Sequence, residues 1–327
     1  MSSTIVSRGR SIASMGIAAA LAASLAPKAH ADEGGVAFWL SGQFGSLIAI
    51  PGAPGWSATG LAYYSSVKAG GGQQFPQGGQ VHAGLDADLS VIGFGPGYTF
   101  DTTILGGSPS LSVVGLAGKV KASAEATLTG PNGGQISGQR TDTLVGVGDL
   151  YPMAALRWNA GVNNFMTYVM GDIPVGDYQP DRLANLGIGH GAIDGGLAYT
   201  YFNPQSGNEF SIASGLTYNF ENPDTNYQNG IDSHFDVAAS HFLSQQVHVG
   251  AVGYYYQQLT GDSGSGATLG DFKSRIFGVG PQIGYFVPAG DMQGYVNLKG
   301  FYEFGAENRA EGWNVWLTLA LTPKAGK

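Results

Sequence analysis

The chain has 327 residues, with 15 Lys and Arg against 23 Asp and Glu, 43% hydrophobic residues, 54 Gly and no Cys. Without cysteine there is no disulfide, thiolate metal centre or Cys nucleophile, and the acidic balance speaks against nucleic acid as a partner. A charged fraction of 12% is about half that of a soluble globule, and the Gly fraction is more than double the usual one; the apolar residues fall in alternating blocks, which excludes a disordered chain.

Residues 1–31 read as a secretory signal peptide. Arg8 and Arg10 form a positive n-region, residues 12–26 a short apolar stretch, and Ala29-His30-Ala31 a small-x-small cleavage site that places the mature start near Asp32. The stretch is too short for a spanning helix, and no long uncharged apolar run follows it. Export through an oxidising compartment agrees with the lack of cysteine.

Residues 32–56 come next. Phe38, Trp39 and Phe44 make them too apolar for a free periplasmic tail, and Pro51 and Pro54 break any extended ladder. The expectation is a plug-like segment folded into a lumen. An additional strand is the other option, but it would make the strand count odd and put the N-terminus outside.

Residues 57–327 read as all-β, an antiparallel transmembrane β-barrel of about 12 strands. The predicted strands are 57–68, 80–100, 110–128, 140–158, 162–174, 196–203, 209–220, 231–242, 247–258, 272–287, 293–304 and 312–323. The clearest of them runs from Glu209. Phe210, Ile212, Leu216, Tyr218 and Phe220 share one parity, while Glu209, Ser211, Gly215, Thr217 and Asn219 share the other. Such period-two alternation makes a strand with one face for lipid and one for a wet lumen.

The links give a separate test. After the fourth, sixth, eighth and tenth strands they are short, as in Asn159-Ala160-Gly161 and Ser244-Gln245-Gln246. After the odd-numbered strands they are longer, as in 69–79, 129–139, 176–195 and 261–271. Only the link 101–109 is longer than its parity suggests. Outer-membrane barrels have short periplasmic turns and long extracellular loops, so both ends of the barrel chain fall in the periplasm. A soluble sandwich would not need this alternation. In the last strand Trp313, Val315, Leu317, Leu319 and Leu321 share a face, but residues 323–327 follow where a terminal aromatic residue is usual.

Parity also selects the candidate lumen residues. His234 and Asp236 share the inner face of the eighth strand, and His248, Tyr254 and Tyr256 that of the ninth. Imidazole and aromatic rings in a lumen can stack on and hydrogen-bond phenol-like solutes, or can fill a narrow tube and satisfy one another. Asn297, Lys299 and Glu303 share the inner face of the eleventh strand, where the two unlike charges are expected to pair. No spacing resembles a metal-ligand motif, and the oxygen-rich run 221–226 is explained by Asx-turn chemistry.

Proline cannot donate to a ladder and is confined to bulges or edges. Gly95-Pro96-Gly97 in the second strand and Gly280-Pro281 in the tenth are therefore either bulges at the rim or places where the wall opens sideways. Asp181, His190, Asp194 and Ser206 are available for catalysis, but no nucleophile motif frames any Ser. No catalytic residue, metal or cofactor is expected.

Several strings carry a family resemblance. They are Phe38-Trp39-Leu40, Gly42-Gln43-Phe44-Gly45-Ser46, Tyr151-Pro152-Met153, Gly171-Asp172-Ile173-Pro174-Val175-Gly176 and Leu183-Ala184-Asn185-Leu186-Gly187. Phe220-Glu221-Asn222-Pro223-Asp224-Thr225, Gln258-Leu259-Thr260-Gly261-Asp262-Ser263-Gly264 and Gly278-Val279-Gly280-Pro281 belong with them. The chain resembles the outer-membrane barrels labelled for the meta-pathway of phenol degradation, over nearly its whole mature length. The resemblance implies residence in the outer membrane of a Gram-negative bacterium and passive uptake of small hydrophobic, aromatic compounds. Its partners would be outer-membrane lipids, the barrel-assembly machinery and the solute itself. A structural or surface-exposed barrel without transport is the alternative, and a lipid-modifying barrel enzyme a weaker one.

Overall fold

The computed structural model describes residues 37–74, 80–268 and 272–324. The leader, its cleavage near Ala31 and Val36 lie outside the described residues. The strands are β1 (Gly55–Gln74), β2 (Gln80–Thr99), β3 (Ser108–Thr129), β4 (Gln135–Ala160), β5 (Asn163–Asp172) and β6 (Ala192–Asn203). They continue as β7 (Asn208–Asn219), β8 (Asp232–Phe242), β9 (Val247–Gln258), β10 (Arg275–Ala289), β11 (Met292–Glu307) and β12 (Glu311–Pro323). Every strand pairs antiparallel with its sequence neighbours, and β12 returns to β1 (Ala58 opposite Leu321, Lys68 opposite Glu311). The sheet is a closed barrel, and over the height shared by all twelve strands no edge is left unpaired.

The faces follow the alternation. On β7, Glu209, Ser211, Thr217 and Asn219 are buried inward, while Phe210, Leu216 and Tyr218 are exposed on the outer wall. The outer wall carries an apolar belt that includes Ile92, Phe94, Val145, Val147, Leu197, Val279 and Tyr302. On β2–β4 the belt gives way at Ser90, Lys119 and Lys121 to polar side chains, with Lys68 paired to Asp86 at 3.1 Å above it. An apolar band with charges only beyond its edge is what a hydrocarbon layer demands.

The barrel is not equally tall all round. β1 to β4 have 20, 20, 22 and 26 residues, whereas β5 to β9 have 10 to 12. The sequence reading of 69–79 and 129–139 as loops is thereby corrected for 69–74, 129 and 135–139, while 130–134 is a turn and 75–79 lie outside the described residues. β1 and β2 stay paired from Gly55–Thr99 up to Gln74–Gln80, and β3 and β4 up to Thr129–Gln135. Gly70, Gly71 and Gly72 have no side chains to alternate, so paired backbone there left no period-two trace. The start of β6 is corrected likewise, from 196 to Ala192, because Gly195-Gly196 hides the inward Asp194.

Against the inside of this tall wall lies the link 173–191. Val120, Ala122 and Ala184 are buried together with Leu144, Leu183 and Leu186. Arg182 makes a two-pronged contact with Asp142 (2.8 and 3.1 Å), and that hydrogen bond and charge hold its guanidinium above its ordinary pKa. The loop 221–226 does contain an Asx turn, with Asn222 Oδ1 accepting from Asp224 N at 3.0 Å.

Candidate functional site

Residues 37–54 contain no strand; they run through the barrel interior from the start of β1, at the end with the shorter turns, toward the opposite end. Their backbone polar groups need partners inside, and inward side chains supply them. Asp236 accepts from Gly42 N (2.9 Å) and Phe44 N (3.1 Å). From the other side Lys299 Nζ donates to the carbonyls of Gly42, Gln43 and Phe44 at 2.6, 3.2 and 3.1 Å. A carboxylate and an ammonium thus clasp one turn of chain between them. Gly42 suits this turn, because its φ of 82° is left-handed and a Cβ would sit 2.8 Å from the Phe301 ring.

Nearer the start of β1, Glu209 accepts from Ser46 Oγ (2.7 Å) and Leu47 N (3.1 Å), Ser211 Oγ from Leu47 N (3.0 Å), and Thr200 from Ala49 N (3.1 Å). These bonds hold Leu47 at a φ of 69°, a left-handed conformation for a residue with a Cβ. Arg157 Nε donates to Ile48 O at 3.2 Å.

The apolar side chains of the segment make the centre of the lumen aromatic. Trp39 stacks on His234 with ring centroids 3.4 Å apart, and Phe44 meets Trp39 and Tyr168 edge-on at 5.1 and 5.3 Å. Phe38 stacks on Tyr151 at 5.7 Å. His234 Nε2 lies 2.8 Å from Asp194 Oδ2, which also accepts from Thr217 Oγ1 at 2.7 Å. Methionines 166 and 170 fill space beside these rings.

All the inward assignments from parity place side chains inside the barrel, but not in one cluster. His234 and Asp236 meet the lumen segment. Tyr254 hydrogen-bonds Glu303 (2.6 Å) and Asn314 (3.0 Å), and Tyr256 is fully buried with the Arg309 guanidinium 4.9 Å from its ring centroid. Asn297 donates to Ile283 O at 3.2 Å. The expected pairing of Lys299 with Glu303 is corrected: Lys299 serves the three carbonyls and lies 5.6 Å over Trp316, while Glu303 serves Tyr254, Asn314 and Gly312 N.

His248 sits at the short-turn end, near the start of β9, in a group that parity alone did not single out. It hydrogen-bonds Tyr295 OH (2.9 Å) and lies 5.0 Å from the Phe242 ring. Phe242 meets Phe202 at 4.9 Å and Phe286 at 6.2 Å, and Phe286 meets Tyr295 at 4.7 Å. These rings are half-buried and line the inside of the rim. Each lies within four residues of a strand end, where alternation is weakest as a signal. Their shared inward parity with His248 was the available clue.

The Gly-Pro sites have a common geometry. Ladder pairing skips Gly95 and Pro96 against β3, and Gly280 and Pro281 against β11. The backbones nevertheless touch: a Cβ on Gly95 would lie 1.7 Å from Val113 O, and one on Gly280 1.7 Å from Gly300 O. The wall is pinched at both places and not open. Outside Pro96 lies an apolar groove of about 840 Å³, bounded by Trp56, Tyr98, Leu111, Val113, Pro152 and Val169, with Gly97 and Met153 at its floor.

Comparison with known proteins now adds a family. The model of the family described as "Putative MetA-pathway of phenol degradation" matches residues 70–319. The chain belongs to this family. Its fold is similar to that of the COG4313 outer membrane channel from Pseudomonas putida F1, at 13% identity and a TM-score of 0.59, over 85% of this chain and 98% of that one. A FadL homologue from Pseudomonas aeruginosa matches more distantly, at 8% identity and a TM-score of 0.41, over 82% of this chain and 90% of that one. No curated protein matches the sequence. Membership in the phenol-degradation family agrees with the resemblance read from the motifs, and the channel's fold agrees with the twelve-stranded closed barrel.

Proposed function

We propose that this barrel carries small hydrophobic, aromatic solutes across the outer membrane by passive diffusion, with residues 37–54 acting as a plug that narrows the path. The observation that carries the reading is the character of the interior. A water-filled porin is polar inside, whereas this lumen holds Trp39, Phe44, Tyr168 and Met170 at its centre and Phe202, Phe242, Phe286 and Tyr295 at its periplasmic rim. Ring faces offset the desolvation of a neutral aromatic solute and hold it weakly enough for release.

Purified barrel in liposomes is expected to pass toluene or phenol faster than a polar sugar of similar size. Replacing Phe202 and Phe286 together with Ala lowers the aromatic flux several-fold and leaves the sugar flux as it was. Equal flux of both solutes in the native protein would remove the proposal and favour a structural barrel.

The groove beside Pro96 supports a sideways release of apolar solutes into the membrane, through movement of the pinched Gly95-Pro96 backbone. Pro96→Val returns an N–H to the ladder and stiffens the pinch. Uptake of an apolar aromatic should then fall while small-ion conductance stays constant; if neither changes, Pro96 is a bulge alone.

A further inference from the structure

One inward carboxylate is left without any partner. Asp172 ends β5, is 7% exposed, and neither Oδ1 nor Oδ2 has a hydrogen-bond donor. Asp149, two residues along β4 from the neighbouring Tyr151, accepts from Gly176 N (2.7 Å) and Ile188 N (2.8 Å) and so offers Asp172 no donor. The inward basic side chains are engaged elsewhere. Lys299 holds the Gly42–Phe44 carbonyls, Arg157 holds Ile48 O and Ser110, His234 faces Asp194, and buried His190 hydrogen-bonds Gly191 O at 3.0 Å. A buried carboxylate beside a second one, with no donor in reach, is an arrangement that asks for a cation.

The surroundings say which kind. Among the described residues no three His, Cys, Asp or Glu side chains are grouped to hold a metal ion, and two carboxylates alone give a hard divalent cation few of its oxygens. Tyr151 instead carries an aromatic face beside Asp172, extended by the stacked Phe38 ring, with Met170 the next inward residue on β5. A carboxylate flanked by ring faces matches a protonated amine with an apolar body, which takes a charge-assisted hydrogen bond at one end and stacking at the other. We propose that Asp172, with Tyr151 and Phe38, forms a recognition site for organic ammonium solutes carrying a single aromatic ring. The inference rests on the reading that solutes enter this lumen, and it adds a cationic class to the neutral one.

The test is calorimetric titration of the full-length barrel in detergent with 2-phenylethylammonium, and with 2-phenylethanol as its neutral counterpart. The ammonium should bind at one site about tenfold or more tightly than the alcohol, the discrimination a charge-assisted bond provides. Asp172→Asn should erase that preference while the barrel still shows native heat-modifiable migration in gels. Should the variant fail to fold, a native crystal soaked with 4-bromophenylethylammonium decides, through anomalous density beside Asp172 or its absence. Equal affinity for ammonium and alcohol, an unchanged preference in Asp172→Asn, or displacement of the ammonium by millimolar calcium would each overturn the proposal. Toluene flux through the same protein reconstituted in liposomes separates this from the transport reading, because it persists if only the ammonium site is wrong.

Discussion

Leu216→Arg should destabilise the folded barrel by about 2–4 kcal/mol, the cost of a guanidinium on the lipid face near the bilayer midplane. Leu216 points outward from the middle of β7, with half its surface exposed among the apolar belt. The control is Thr141→Arg, which also points outward but on the part of β4 that stands above the belt. It meets water there and should change stability by less than about 0.5 kcal/mol. Urea titration of folding into lipid vesicles measures both. Equal losses would show that the wall of β4 at Thr141 is embedded as deeply as Leu216. The inner face offers no mild site for the same experiment: Thr217 is buried against Asp194, so an Arg there has no room.

Deleting residues 37–54 should leave a folded barrel whose conductance is larger and less selective. The ladder closes through β1 and β12 without any contribution from the segment, and the belt outside is untouched. What the deletion removes is the aromatic filling and its clasp. Lys299→Met is the subtler version. It strips the donor from three carbonyls, loosens the segment by on the order of 3 kcal/mol, and should convert a steady small conductance into one that flickers to larger values. Single-channel recordings in planar bilayers distinguish these outcomes. Loss of the barrel on deletion would show that the segment is part of its structural core.

The strand count and the inward and outward faces were legible because lipid on one side and lumen on the other force a strict alternation on every strand. Strand length was not legible where the alternation had nothing to act on, as at Gly70–Gly72, or where a strand rises above the membrane and both its faces meet polar surroundings. The site was legible in part. Parity identified His234, Asp236 and Lys299 as inward, but which groups they would hold depends on a segment more than 190 residues away in sequence. The pairing of Lys299 with Glu303 failed for this reason: backbone carbonyls brought in by the segment compete for the ammonium. Parity did not select Asp149 or Asp172: Asp149 sits where a bulge opposite Gly115 and Ala117 breaks the alternation of β4, and Asp172 is the last residue of β5.

The clasp also constrains how this molecule can be put together. Gly42 and Lys299 are 257 residues apart, and the groups that hold residues 42–49 are spread over β6, β7, β8 and β11. The segment precedes every strand in the chain and waits longest for its partners. Were the first and last strands to seal before it had found them, it would have to thread back into a tube too crowded to admit Trp39. The sheet must therefore curl around the segment as around a mould, and meeting its last strand last makes such long-range closure slow. A segment misplaced at that stage would slow closure of the barrel, a defect read in the rate of folding and separate from any effect on permeation.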